Sequence, residues 1–271
     1  MNYNSIRTNL SREDIISDIK LTKSADINKE HVYIIVEGQD DIKAMSKFFC
    51  DTVFLYESYS GKEGVEDIVT FFNIEEVIGI RDKDYQLAKK SQYIFYYDYC
   101  CLEMMMIFSD YVFQNLCTEF YRGKFLFSDL RLKILKELKE VSILRKYNEQ
   151  NSWGINFHVI KPSKFWRPKT MDIDYSQLYN SLSLIPKKGF DKNLIDADMK
   201  ITWNYNDYLS NTQGHDYFSI FASVCSVKKG VNQENISAAA RVCYNMTEFK
   251  KTVLFQDLNN HSININRCIT N

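Results

Sequence analysis

Short apolar runs alternate with amphipathic segments over the first part of the chain. The apolar runs predict four strands, at 32–37, 53–57, 77–81 and 93–97. The segments between and after them predict helices at about 40–50, 64–73 and 101–116. Short buried strands that alternate with helices indicate an α/β fold with a parallel sheet and right-handed crossovers. A further amphipathic helix, capped by Ser11, is predicted before the first strand.

The pattern changes after about residue 120. Apolar residues at helical spacing within 130–146 predict one amphipathic helix, and the later segments 173–184, 215–227 and 233–250 are predicted to be mostly helical. A proline-containing segment, 161–169, predicts a loop or linker between them. The resulting organisation has three parts, namely an N-terminal helical extension (1–30), a parallel-sheet domain (31–118) and a mainly helical C-terminal region (119–271).

Composition and charge narrow the possible classes of protein. Of the 271 residues, 45% are hydrophobic and 25% are charged, which is typical of a globular protein. The net charge of −1 gives no overall electrostatic attraction to nucleic acid, so any phosphate-binding surface must be local. The sequence has no apolar stretch of signal-peptide or transmembrane type, and we expect a cytoplasmic protein with no membrane partner.

Seven cysteines are present, an odd number without a Cys-x-x-Cys pair or histidines at zinc-ligand spacing. This pattern favours reduced thiols in a cytosol over a structural zinc site or a disulfide framework. His31, His158 and His261 have no partners at metal-ligand spacing and receive no role.

Acidic residues directly follow two of the predicted strands. Glu37-Gly38-Gln39-Asp40-Asp41 follows the first strand, and Asp82-Lys83-Asp84 follows the third. Because ligand chemistry in parallel sheets collects at the carboxyl ends of the strands, we expect these carboxylates to converge. Close anions repel one another unless a cation neutralises them, and oxygen ligands favour Mg²⁺, Mn²⁺ or Ca²⁺. The alternatives are an aspartate that caps the following helix and an ordinary turn at 82–85.

The two acidic motifs together resemble the TOPRIM domain, in which one strand ends in Glu-Gly-x-x-Asp and a later one in Asp-x-Asp. The resemblance covers 31–117 and rests on residues of both motifs: Glu37, Gly38, Asp41, Asp82 and Asp84. It extends to one branch, the AriB-like effectors of PARIS anti-phage systems, which are related to the overcoming-lysogenization-defect nucleases. The features shared with that branch are Gly61-Lys62, Asp98 ahead of Leu102-Glu103, and Gly214-His215-Asp216. The chain departs from it at Cys100 and Cys101, where histidine and aspartate are expected.

The resemblance implies a Mg²⁺-dependent nuclease, with Mn²⁺ as the alternative ion. Glu37 would be a metal ligand or general base, and the other implied metal ligands are Asp41, Asp82 and Asp84. Lys62 would neutralise charge on the reacting phosphate. The alternative is that Lys62 is an ordinary lysine exposed to solvent in a turn. Glu103 is a further implied catalytic residue; with Asp41 it would bind a second metal ion or accept hydrogen bonds beside the first.

The same resemblance implies the biological setting. The protein would be the toxic effector of a bacterial antiviral system that acts by abortive infection. It would cleave nucleic acid, with RNA and especially tRNA favoured over DNA, under the control of an ABC-type ATPase regulator. Homodimerisation is compatible with this setting, but no feature of the sequence requires it.

Substrate contacts outside the acids are predicted in the segment 161–169. Basic residues there flank aromatic ones, a combination suited to phosphate contact and base stacking: Lys161, Lys164, Trp166, Arg167 and Lys169. The alternative is a linker whose aromatic residues dock into the core. His215 is a further candidate, with a helix-start histidine that bonds to the backbone as its alternative. The basic residues of 130–146 could also meet phosphate, or form a solvated helix face.

Two other functions use the same features. A non-catalytic partner-binding module with a degenerate TOPRIM fold would keep the acids without cleaving a substrate. A primase-like nucleotidyl transferase uses similar acids, but the chain shows no zinc-binding or template-handling module.

Overall fold

The sheet and most of the helices fall into different units of the chain. In this computed structural model the described residues are 10–86, 90–157, 159–183, 189–225 and 230–271. One unit comprises Met1–Asp98 and Tyr244–Asn271, and the other comprises Tyr99–Cys243. His158 and the ends of two predicted helices, at 184 and 226–227, lie outside the described residues.

The first unit contains a four-stranded parallel sheet, which confirms the predicted α/β class. Its strands are β1 (Val32–Val36), β2 (Val53–Glu57), β3 (Val77–Arg81) and β4 (Ile94–Tyr96). Their order in the sheet is β2-β1-β3-β4. Continuous burial along β1 and β3 is the pattern expected of strands covered on both faces.

Three helices of the first unit come from its N-terminal part: α1 (Arg12–Ala25), α2 (Gln39–Met45) and α3 (Gly61–Phe72). The predicted cap of α1 is confirmed, because Ser11 and Asp14 exchange backbone and side-chain hydrogen bonds in a capping box. Ile15 and Ile19 of α1 lie in one apolar cluster with Val65 of α3 and Tyr33 of β1. A short 3₁₀ helix, Ser46–Phe48, follows α2, so the predicted helix over 40–50 stops being α-helical earlier than expected.

The second unit is mainly helical. Its helices are α4 (Leu102–Phe108), α5 (Asp110–Phe120), α6 (Phe127–Glu137), α7 (Lys139–Asn151), α8 (Tyr175–Ser183), α9 (Lys192–Met199), α10 (Tyr205–Asn211), α11 (Gly214–Cys225) and α12 (Gln233–Cys243). A short antiparallel pair joins β5 (Trp166–Arg167), within the predicted linker 161–169, to β6 (Asp172–Ile173), just after it. No described helix of either unit has the length and apolar character needed to cross a membrane.

Two segments predicted as single helices are each divided in two. Ser109 ends α4 and caps α5, since its hydroxyl accepts a hydrogen bond from Val112 N at 3.2 Å. Leu138 separates α6 from α7 within the predicted helix over 130–146. Apolar periodicity continues across both breaks, so it could not reveal them.

The basic residues of α6 and α7 mostly hold the second unit together. Arg131 is 7% exposed and donates to Ile107 O at 2.9 Å, near the end of α4. Lys139 is 9% exposed and donates to Met199 O at 2.9 Å. These two side chains are therefore structural, and the predicted basic face of this segment is much reduced.

Two further helices, α13 (Met246–Phe249) and α14 (Val253–Ile265), return to the first unit. Phe249 stacks on Phe48 with ring centroids 4.7 Å apart. The division at 98/99 and 243/244 therefore differs from the boundaries at 30/31 and 118/119 that the sequence suggested.

Cys50 and Cys268 form a disulfide, with Cα atoms 6.1 Å apart. The expectation that all cysteines are reduced was wrong for these two. They are separated by 218 residues in sequence, and spacing could not pair them. A backbone bridge between Phe49 and Thr270 brings the chain end beside the first cysteine.

Asp98 provides a test of how α14 is held in the first unit. Its carboxylate accepts hydrogen bonds from Val253 N and Leu254 N, each at 2.9 Å, in the first turn of α14. Replacing Asp98 by alanine removes both bonds, and we expect a loss of about 1 kcal/mol in the free energy of unfolding. Urea titration followed by circular dichroism measures it. Asp98→Asn keeps one acceptor oxygen and should lose less, whereas equal stability of all three proteins would contradict the capping role.

Candidate functional site

Strand register places the predicted acids at one edge of the sheet. Val36 of β1 pairs with Ile80 of β3, and Arg81 pairs with Tyr96 of β4. The residues that follow these strands therefore reach the same carboxyl edge. Direct contact confirms this, because Asp82 N donates to Glu37 Oε1 at 2.7 Å.

Asp41 and Asp84 approach the same edge from helix and loop. Asp41, in the first turn of α2, accepts from Gly38 N at 2.9 Å and is 9% exposed. This bond supports the alternative that Asp41 caps the start of α2. Asp84 has a φ of +48°, in the left-handed region that costs a non-glycine residue roughly 1–2 kcal/mol. Aspartate is among the few non-glycine residues that adopt this conformation, and the turn places its carboxylate beside Lys62.

Lys62 pairs with an acid of the cluster. Its Nζ lies 3.0 Å from Asp84 Oδ2, and one third of its side chain is exposed. Gly61, which precedes it, has a φ of +49° that a side chain would strain. The Ser58 hydroxyl donates to Gly61 O at 2.6 Å. The Gly-Lys motif thus starts α3 in a fixed conformation that directs the ammonium group to Asp84.

The electrostatics show that these carboxylates act on one another. Burial is the main cause that raises the pKa of Glu37 to about 7, and the charges of Asp41 and Asp84 raise it further. The hydrogen bond from Asp82 N opposes this shift. Burial also raises the pKa of Tyr97 well above its usual value, and the charges of the neighbouring carboxylates add to the effect. The carboxylates of Asp41 and Asp84 therefore lie close enough to Glu37 to oppose its ionisation.

Arg81 supports the cluster and was not identified from the sequence. It is fully buried at the end of β3, where its Nη2 lies 2.9 Å from Glu66 Oε1. Its Nη1 donates to Asp82 O at 3.0 Å, and its guanidinium lies over the Tyr96 ring. The sequence feature that could have identified Arg81 is its position as the one charged residue of an otherwise apolar strand. Arg81 fixes the start of the loop that carries Asp82 and Asp84.

The donor chemistry of the cluster fits a hard divalent cation, since every candidate ligand is a carboxylate. The positions of the carboxylates, however, do not by themselves form a metal site. Among the described residues, no three His, Cys, Asp or Glu side chains are arranged to hold one ion together. Asp84 pairs with Lys62 instead. Mg²⁺ or Mn²⁺ binding by Glu37, Asp41, Asp82 and Asp84 remains a prediction.

Glu103 and His215 lie together in the second unit. Gly214 opens α11 directly against Glu103, and a Cβ atom on this glycine would be only 2.4 Å from Glu103 Cβ. His215 Nδ1 lies 3.9 Å from Glu103 Oε1 and 3.0 Å from Gln233 Nε2. The glycine of the late Gly-His-Asp motif therefore has a structural role, because only a residue without a Cβ atom can approach Glu103 this closely.

The two cysteines that depart from the resemblance are buried at the same place. Gly214 N donates to Cys101 Sγ at 3.3 Å, and the Gln213 side chain donates to Cys100 Sγ at 3.4 Å. Neither cysteine takes part in a disulfide within the described residues. They pack against the start of α11, which is a structural role.

The segment 161–169 divides into engaged and available residues. Lys164 donates to Val159 O at 3.0 Å, and Arg167 forms a two-bond pair with Asp172 at 2.8 Å. Trp166 is buried, as the docking alternative predicted. Lys161 and Lys169 are exposed, and the side chain of neither has a hydrogen-bond or ion-pair partner in the described part of the chain.

The chain was compared with protein-family models and with curated proteins. No protein-family model matches the chain, and no curated protein matches it.

The raised pKa of Glu37 predicts a pH dependence of stability. A carboxyl group whose pKa is higher in the folded than in the unfolded state stabilises the fold below its unfolded value, which is near 4.5. This contribution is lost as the pH rises to about 7. Glu37→Gln removes the titration and keeps an acceptor oxygen for Asp82 N. At pH 8 the variant should be more stable than the wild type, by up to roughly 3 kcal/mol, with a smaller difference at pH 4.5.

Urea unfolding at the two pH values measures this difference. Asp40→Asn is the matched control, since Asp40 is an exposed acid in the first turn of α2, three residues from Glu37 and paired with Lys43. If the difference in unfolding free energy between Glu37→Gln and the wild type were the same at both pH values, the raised pKa of Glu37 would be contradicted.

Proposed function

We propose that this protein is a metal-dependent nuclease with a TOPRIM-like active site at the carboxyl edge of its parallel sheet. The observation that carries the proposal is the convergence of Glu37, Asp41, Asp82 and Asp84 at that edge. The hydrogen bond from Asp82 N to Glu37 Oε1, 2.7 Å long, supports it directly. The β2-β1-β3-β4 order also agrees with it, because β1 and β3 are neighbours and bring both motifs together.

The residues of the cluster have distinct roles in this proposal. Glu37 accepts a proton from the attacking water, as a positioned carboxylate can. Asp41, Asp82 and Asp84 are the residues that would hold Mg²⁺ or Mn²⁺, and the ion would supply charge neutralisation at the phosphate. Lys62 is held beside Asp84, and its ammonium group stabilises negative charge that develops on the phosphate oxygens. Arg81 positions the Asp82–Asp84 loop. The catalytic role expected for Glu103, which lies in the second unit, stays a prediction.

The biological setting is proposed from the resemblance to AriB-like effectors. RNA, with tRNA favoured, would be the substrate, and an ABC-type ATPase would hold the nuclease inactive until phage infection. A cytoplasmic location and possible homodimerisation belong to the same proposal. A partner-controlled state agrees with the toxicity that an unrestrained nuclease would have.

One observation favours a second candidate, a non-catalytic partner-binding module. The Lys62–Asp84 ion pair satisfies an acid that metal binding would require. In a degenerate site this pair would be permanent, and the cluster would serve only to order the loops.

Cleavage assays separate the two candidates. Purified protein is incubated with tRNA or plasmid DNA, with Mg²⁺, Mn²⁺ or EDTA. We expect metal-dependent cleavage by the wild type and a loss of at least about 100-fold in Glu37→Gln and Asp84→Asn, since each removes a charged group from the reaction site. Asp40→Asn should retain activity. Folded wild-type protein that cleaves neither substrate would favour the binding module and contradict the nuclease.

A further inference from the structure

Two cavities of the second unit share a wall. Each has a volume of about 440 Å³, and Ser219 and Gln233 line both. Small-molecule sites in proteins typically span roughly 300–1,000 Å³. The two adjoining cavities therefore offer room for a ligand with two chemically different parts.

The first cavity has a positive lining. Arg145, Lys161 and His215 line it together with one acid, Asp216. Arg145 neutralises this acid through a two-bond pair, with N–O distances of 2.5 and 2.8 Å. The ammonium group of Lys161 is then available for an incoming anion.

His215 and the helix end add to this preference. The histidine lies at the N-terminus of the twelve-residue helix α11, where the helix dipole attracts negative charge. Glu103 opposes it, at 3.9 Å from His215 Nδ1. Gln233 Nε2 lies 3.0 Å from the same ring nitrogen. With Gln233 as donor, the other ring nitrogen carries the proton and can donate to a phosphate oxygen.

The second cavity is uncharged and polar. Hydroxyl and amide groups of Ser223, Asn232 and Gln233 line it, with Trp166 as its aromatic wall. Trp166 is 7% exposed, and its buried Nε1–H group has no hydrogen-bond partner among the described residues. Buried indole N–H groups usually have an acceptor. A ligand in this cavity that displaces the side chains covering the indole N–H group would supply one.

We infer that the second unit binds a nucleoside phosphate across these two cavities. The phosphate lies against Lys161 and His215, and the base lies in the cavity walled by Trp166. The inference deepens the proposed function, on which it rests for the class of ligand. The nucleoside phosphate is part of an RNA strand or a free nucleotide, and binding experiments distinguish these sources.

Calorimetric titration in EDTA tests the two ends separately. The full-length protein is titrated with AMP, adenosine and inorganic phosphate. AMP should bind at least tenfold more tightly than either fragment. Lys161→Ala should weaken AMP and phosphate at least tenfold and leave adenosine unchanged. Trp166→Phe, which deletes the N–H group and keeps an aromatic ring, should weaken AMP and adenosine but not phosphate.

Lys124→Ala is the control, because Lys124 is an exposed lysine of the same unit that lines neither cavity. Circular dichroism verifies that each variant is folded. The same affinity for AMP in the wild type, Lys161→Ala and Trp166→Phe, or no binding of any ligand including RNA, would overturn the inference.

A ten-nucleotide single-stranded RNA identifies the source. An RNA that binds, is weakened by Lys161→Ala and competes with AMP supports an RNA strand. AMP binding that the RNA does not displace supports a free nucleotide.

Cleavage assays keep the two proposals distinguishable. The expected nucleotide binding without any cleavage would contradict the nuclease and support this site. Cleavage with unchanged KM in Lys161→Ala, together with the absent effects on binding, would contradict this site and leave the nuclease in place.

Discussion

The register between β1 and β3 is the constraint on which the acidic cluster depends. With Val36 opposite Ile80, the first residues beyond the two strands meet at one edge. Both strands are buried on both faces, and the position of β3 is fixed by packing, because a side chain in place of Gly79 would lie only 2.6 Å from Val65 Cγ1 of α3. The packing of the core therefore also fixes the position of the acids. The core and the candidate site are in this sense specified together.

Collecting carboxylates at a partly buried edge costs free energy, and the surrounding groups offset it. Backbone N–H groups of Asp82 and Gly38 bond to Glu37 and Asp41, and Lys62 pairs with Asp84. Below them, Arg81 is fully buried and paired with Glu66. Removing one partner of such a pair would leave a buried charge, so the pair constrains the loop strongly.

Acids that follow strands have different fates in this fold. Glu37 and Asp82 follow neighbouring strands and contact each other, whereas Asp98, which follows β4, caps α14. A similar division occurs among the cations of the second unit. Arg131 and Lys139 satisfy buried carbonyl groups, while Lys161 is exposed beside a cavity.

The sequence by itself determined the parallel sheet, the cap of α1 and the convergence of the acids. These features follow from local periodicity and from a general rule about strand ends. Tertiary structure alone decided the Cys50–Cys268 disulfide, the return of α14, the breaks at Ser109 and Leu138, and the burial of Arg81. Each of these depends on groups brought together from distant positions or on caps within a continuous apolar pattern. Residue spacing along one chain carries no record of such contacts.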